Sequence, residues 1–218
     1  MRSLTDGLTK TMHFNNVFRW HDLFLLVIIL FAVPAGAAQR LLVLGDSLSA
    51  GYRMPADEAW PQRLNQKWQH TPEVINGSIS GDTAAQGLAR LPALLKQHQP
   101  DWVLIELGGN DGLRGFPPQH IASDLQKAID RVKAAHARPI LMQIRLPANY
   151  GRRYTEAFSA IYPQLAQQNA IPLVPFFMEQ VYTNPAWMQQ DGIHPTPAAQ
   201  PFITGLMEKV LTPLVKHE

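Results

Sequence analysis

The chain is expected to form an α/β fold around a mostly parallel sheet, and three observations point there. Short apolar runs recur at 41–44, 74–75, 102–107, 140–144 and 171–174. Several are unbroken rather than alternating, as strands covered on both faces are. Between them lie segments with apolar residues at helical spacing, and strands alternating with helices imply parallel pairing through right-handed crossovers.

The elements follow in order. The run 41–44 enters Gly45-Asp46-Ser47, where glycine relaxes the backbone and Asp or Ser can cap a helix. Ser47 therefore reads either as a turn cap or as a group aimed at a ligand. After the second run, Asp82 or Thr83 is the expected cap of a helix over 84–97, with Leu88, Leu91, Leu94 and Leu95 on one face and Pro92 interrupting it. Ile121, Leu125, Ile129 and Val132 predict a helix over 121–136, and 154–168 predicts another despite Pro163. Thr196 and Pro197 read as N-cap and first turn of a last helix to 211, distorted at Pro201.

With 218 residues, 46% of them hydrophobic, the chain suffices for one buried core. The net charge of +2 is spread without a basic block, so nucleic acid is not an expected partner. There is no cysteine, which removes disulfides and thiolate metal sites. Residues 23–33 are uncharged and apolar, too few for the roughly 20 needed to span a bilayer. Arg19 precedes them and Ala35-Gly36-Ala37 follows, the pattern of a secretory leader over 1–37. The expectation is cleavage after Ala37, a working domain over 38–218, a periplasmic location and no stable membrane anchor after cleavage. Met12 is the alternative start, since it shortens the leader.

In open α/β sheets ligands bind beyond the carboxyl ends of the strands. Ser47, Gly81 and Asn110 each follow a predicted strand, which brings polar groups from three segments to that edge. An attacking serine needs a base, a group to orient the base, and donors for an oxyanion. Among the histidines, His194 stands out in Gln190-Asp191-Gly192-Ile193-His194-Pro195. Pro195 disfavours helix at His194, so Asp191 and His194 are expected to share a turn in which the carboxylate meets the imidazole. An incidental helix-entry turn stays open as the alternative. Neither GxGxxG nor GxxxxGK[ST] occurs, which argues against a phosphate cradle.

Gly45-Asp46-Ser47-Leu48, Gly81, Gly108-x-Asn110-Asp111 and Asp191-x-x-His194 come in the order of the four blocks of the SGNH (GDSL) hydrolases, and the chain resembles that family over 38–218. The resemblance implies a three-layer α/β/α sandwich with a five-stranded parallel sheet in the order 2-1-3-4-5. It implies Ser47 as nucleophile, His194 as base and Asp191 as its partner. Ser47 N–H, Gly81 N–H and the Asn110 side chain would form the oxyanion hole, with Asp46 and Asp111 structural. The implied activity is hydrolysis of acyl thioesters, lysophospholipids and simple esters, with no cofactor and no metal; a monomer is expected. An acyl groove is expected from Leu113, Phe116, Ile144, Leu146 and Tyr150, with 112–117 closing over it. GxSxG is absent, which argues against the α/β-hydrolase family but not against serine chemistry. Two rivals remain open: a metal-dependent phosphoesterase, which would want more His and Asp ligands, and a non-catalytic periplasmic acyl-chain or lipid carrier.

Overall fold

The computed structural model describes residues 39–216; the expected leader lies outside them. Strands β1 (Arg40–Gly45), β2 (Glu73–Asn76), β3 (Trp102–Glu106), β4 (Arg138–Met142) and β5 (Leu173–Val174) form one sheet in the order β2-β1-β3-β4-β5, every pair parallel. The helices are α1 (Ser47–Ala50), α2 (Trp60–Lys67), α3 (Ala84–His98), α4 (Gly109–Leu113), α5 (Pro118–Ala134), α6 (Arg152–Asn169), α7 (Met178–Val181) and α8 (Gln200–Val215). One layer packs α3 against α5 and α5 against α6; the other packs α2 against α8. The central strands β1 and β3 are buried along nearly their whole length, which is why their sequences read as continuous apolar runs.

The helices form where burial and capping agree. Thr83, not Asp82, caps α3: its hydroxyl accepts from Gln86 N while the Gln86 side chain accepts from Thr83 N, a reciprocal capping box. Asp82 instead pairs with Arg90 at 2.5 Å. Helix α5 starts earlier than expected, at Pro118, whose missing N–H costs nothing in a first turn. Ile203, Met207, Leu211 and Val215 put a four-residue repeat of buried side chains on α8, which continues past 211.

Several expectations need correction. Thr196 precedes a 3-10 turn, Pro197–Ala199, and its hydroxyl donates to Ala186 O rather than capping a helix. The α-helix proper starts at Gln200, so Pro201 sits in its first turn, where it fits; Pro213 is the internal one. Strand β4 lies two residues earlier than the run 140–144, pairing Arg138 with Trp102 at its start and ending at Met142. Helix α2 is absent from the sequence expectations: it is short and polar, with Trp60, Pro61, Leu64 and Asn65 buried.

Helix α6 passes through Pro163 without a break. Proline has no N–H to give the carbonyl four residues back, here that of Ser159. Gln143, buried at the end of β4, supplies the missing donor: its Nε2 reaches Ser159 O at 3.2 Å and Ile144 O at 2.8 Å. Gln143→Leu should therefore cost about 1–3 kcal/mol in urea denaturation, the range for an unsatisfied buried acceptor. Adding Pro163→Ala should recover part of that loss by restoring the helical N–H. An additive double mutant would disprove the coupling.

Candidate active site

Register builds the site. Gly45 pairs with Glu106 across β1 and β3, so the turns that follow the two strands emerge side by side. A Cβ on Gly45 would collide with Glu106 Oε2, so only glycine allows this approach. Asp46 then caps α1 by accepting from Leu48 N at 3.0 Å, which sets Ser47 at the first helical position.

Ser47 Oγ lies 2.8 Å from His194 Nε2, and His194 Nδ1 lies 2.8 Å from Asp191 Oδ2. The other Asp191 oxygen accepts from Ile193 N at 2.9 Å and His194 N at 3.0 Å, so the turn orients its own carboxylate. Burial opposes charge on Asp191, but those two N–H groups and then the imidazole outweigh it, and its pKa falls to about 2. An ionised carboxylate only accepts hydrogen bonds, so Nδ1 carries a proton, and in the neutral ring this leaves the lone pair on Nε2, facing Ser47.

Gly81 adopts φ +87, a conformation that glycine takes without strain, and a Cβ there would meet open space. Arg114 Nη2 donates to Gly81 O at 3.2 Å and so ties the turns after β2 and β3 together. Asn110 Nδ2 donates to Asp46 Oδ2 at 3.1 Å and Asp82 O at 3.0 Å. Both amide hydrogens are thus engaged, and giving one to a substrate oxygen requires sharing or exchange. Asp111 is structural: its carboxylate accepts from Ala84 N at 2.8 Å and anchors the start of α3.

A second feature is acidic and buried. Asp46 and the fully buried Glu106 lie beneath the Ser47 turn, and Glu106 Oε2 accepts from Ser49 Oγ at 2.8 Å and Asp46 N at 3.3 Å. Burial first, then the nearby Asp46 charge, pushes the Glu106 carboxyl well above its usual range. Burial is also the main cause of raising Asp46, to about 7, against the Leu48 hydrogen bond that lowers it. Glu106 was not anticipated as part of the site. Its signal was an acid inside the otherwise apolar run 102–107.

A cavity of about 190 Å³ opens on Ser47, Asn110 and His194. Leu113, Ile144 and Leu146 line it as expected, joined by Phe176 and Tyr182. Phe116 and Tyr150 do not. Phe116 is 40% exposed, and Tyr150 lines a separate surface cleft with Arg152 and Arg153 while its hydroxyl holds Leu113 O. The segment expected to close, 112–117, is not a free loop. Gly112 belongs to α4 and is packed under Leu146 and Phe158, and Tyr154 Oη grips Phe116 O at 2.6 Å. Arg145 lines the cavity in an ion pair with Glu179. Among the described residues no three His, Asp or Glu side chains gather as a metal-ligand set.

Residues 43–200 match the GDSL-like lipase/acylhydrolase family. The chain is 66% identical over 207 residues to thioesterase 1/protease 1/lysophospholipase L1 of Escherichia coli (strain K12), covering 95% of this chain and 99% of that protein. It is 54% identical to an arylesterase of Vibrio mimicus over 88% of this chain and 98% of the relative. Its fold matches the psychrotrophic esterase EstA from Pseudoalteromonas sp., inhibited by monoethylphosphonate, with a TM-score of 0.78 and 38% identity over 82% of this chain and 100% of that one. Similarity that runs nearly end to end, on a shared sheet and with the four blocks in order, leaves one assignment: the chain belongs to the GDSL-like lipase/acylhydrolase family, the SGNH hydrolases.

Proposed function

We propose that the protein is a serine esterase and thioesterase acting on acyl thioesters of the acyl-CoA type, lysophospholipids and simple carboxylic esters through an acyl-enzyme on Ser47. The observation that carries this reading is the unbroken line from Ser47 Oγ through the imidazole of His194 to Asp191, with 2.8 Å at each join. The substrate class draws on the names of the relatives and on the apolar walls of the cavity, which suit an acyl chain.

In the first half-reaction Ser47 Oγ attacks the acyl carbonyl as His194 Nε2 takes its proton. The oxyanion is held by the N–H groups of Ser47 and Gly81 and by Asn110, which turns one hydrogen from Asp82 O toward the substrate. The tetrahedral intermediate collapses, the bond to the leaving group breaks, and the imidazolium protonates a departing alkoxide; a thiolate needs less help. Water then repeats the sequence, giving its proton to His194 and releasing the carboxylic acid and Ser47. Asp191 stays ionised throughout and stabilises the imidazolium.

The same reading includes export. The leader pattern over 1–37 supports cleavage after Ala37 and a periplasmic enzyme of 38–218. Intact mass of the exported protein should begin at Ala38; a species retaining 23–37 would refute cleavage.

The decisive test is covalent labelling. A phosphonate ester should modify Ser47 alone, and Ser47→Ala should lose turnover while staying folded. An adduct on another residue, or loss of activity to a chelator, would overturn the proposal and favour the phosphoesterase; no adduct and no turnover would favour a carrier. On p-nitrophenyl esters of increasing length, Leu113→Ala should lose more on long chains than on acetate, at roughly 0.8 kcal/mol per buried methylene. Phe116→Ala should not discriminate.

Asn110→Ala should lower kcat by ~10²–10³ with little change in KM, as loss of one oxyanion donor does. A raised KM with kcat intact would show uniform binding instead. kcat/KM should rise with pH, because only neutral imidazole is a base. Asp46, raised to about 7, is a second group able to shape the profile near neutral pH. Asp46→Asn removes that ionisation, so a limb that survives in this variant does not come from Asp46.

A further inference from the structure

The nucleophile and the base sit on segments 147 residues apart in sequence, and β-sheet pairing does not fix the second of them. The His194 loop lies beyond β5 and carries one isolated bridge, Met188 to Pro195. The alignment of imidazole with Ser47 must come from contacts between the two segments. Asp191 alone does not supply it. A carboxylate bonded to Nδ1 leaves the ring free to pivot about that bond and swing Nε2 away from the serine.

Two side chains close this freedom. The Tyr52 ring lies against the His194 ring, centroids 4.1 Å apart and planes tilted by 31°. Tyr52 belongs to the nucleophile turn, since its N–H donates to Ser47 O at 3.3 Å. Gln189 belongs to the base loop, since its N–H donates to His194 O at 2.8 Å. Its side-chain amide bridges the segments, donating to Tyr52 O at 3.0 Å and to Pro195 O at 2.9 Å. Both hydrogens of that amide are thus spent on carbonyls, one on each side of the gap.

We propose that Tyr52 and Gln189 form a clamp that positions the His194 imidazole over Ser47, an inference that rests on the reading of His194 as the base. Gln189 sets the spacing of the two backbones, and Tyr52 walls one face of the ring. The wall also suits the chemistry, because the imidazolium formed as Ser47 attacks meets the negative face of an aromatic ring. Neither residue touches the reacting carbonyl. Both act through His194, so the clamp governs turnover rather than affinity.

The test is steady-state kinetics on a p-nitrophenyl ester with Tyr52→Phe, Tyr52→Leu, Gln189→Leu and, in parallel, His194→Ala, each checked for a cooperative thermal transition. Tyr52→Leu and Gln189→Leu should each lose about ten- to a hundredfold in kcat, the scale set by sub-ångström to ångström misplacement of a catalytic group. KM should move by less than about twofold. Tyr52→Phe keeps the wall and should keep wild-type kcat. The imidazole C–H proton resonances of His194 should move downfield in Tyr52→Leu, where the ring current is lost, and hold in Tyr52→Phe. Wild-type kcat in both leucine variants beside an inactive His194→Ala would overturn the clamp and leave the base assignment standing. A loss confined to KM, or to thermal stability, would overturn it as well. An active His194→Ala would bring down both readings.

Discussion

The parallel register of β1 on β3 is the constraint from which the site follows. Gly45 opposite Glu106 places the Asp46–Ser47 turn beside the Gly108–Asn110 turn. Every later contact assumes that placement, including the hydrogen bond from Asn110 to Asp46 and the seat of Ser49 on Glu106. A slip of one residue would turn the side chains of a strand to the opposite face. It would also place a Cβ where Gly45 now lets the backbone meet the Glu106 carboxyl. The apolar packing on both faces of β1 and β3 holds the register, because a shift would break the fit of side chains that are now fully buried.

That packing carries an electrostatic load. Glu106, Asp46 and Asp111 are all buried around the Ser47 and Asn110 turns, and burial is the leading cause of the rise in pKa of each. Two neighbouring carboxyls in low dielectric do not both ionise cheaply. Both effects favour the protonated form of Glu106, whose Oε2 accepts from Ser49 Oγ and Asp46 N and so ties the Ser47 turn to β3. Asp191 sits at the other extreme, in a polar turn whose N–H groups secure its charge. The same type of side chain is thus pushed towards its neutral form beneath the serine and held as an anion behind the imidazole, and environment makes the difference.

The sheet edge and the His194 loop are held in different ways. The edge positions Ser47, Gly81 and Asn110 through strand register, which tolerates little movement. The loop that carries His194 instead makes a turn on Asp191, with the Tyr52 ring against the imidazole and the Gln189 amide bonded to Tyr52 O. Positioning of this second kind depends on a few specific groups rather than on a ladder, so single substitutions there are expected to act on turnover while the core stays intact.

Much of this was legible in the amino-acid order alone, and for a definite reason. Unbroken apolar runs mark strands buried on both faces, and Asp191 with His194 three residues on is a local turn, so both signals lie within a short window of sequence. The groups that join distant segments were not legible. Ser49 to Glu106, Gln189 to Tyr52 and Gln143 to Ser159 are partners only because register and layer packing bring them together. The same holds for the cavity wall. Phe116 and Tyr150 have the composition of lining residues, yet α4 and its tyrosine ties turn them elsewhere, while Phe176 and Tyr182 come in from beyond β5. Sequence determined which segments carry strands and which residue types reach the carboxyl edge. Only the tertiary structure decided which of those side chains meet, because contact across the chain depends on the register of β1 on β3, and no local pattern encodes the identity of the facing residue.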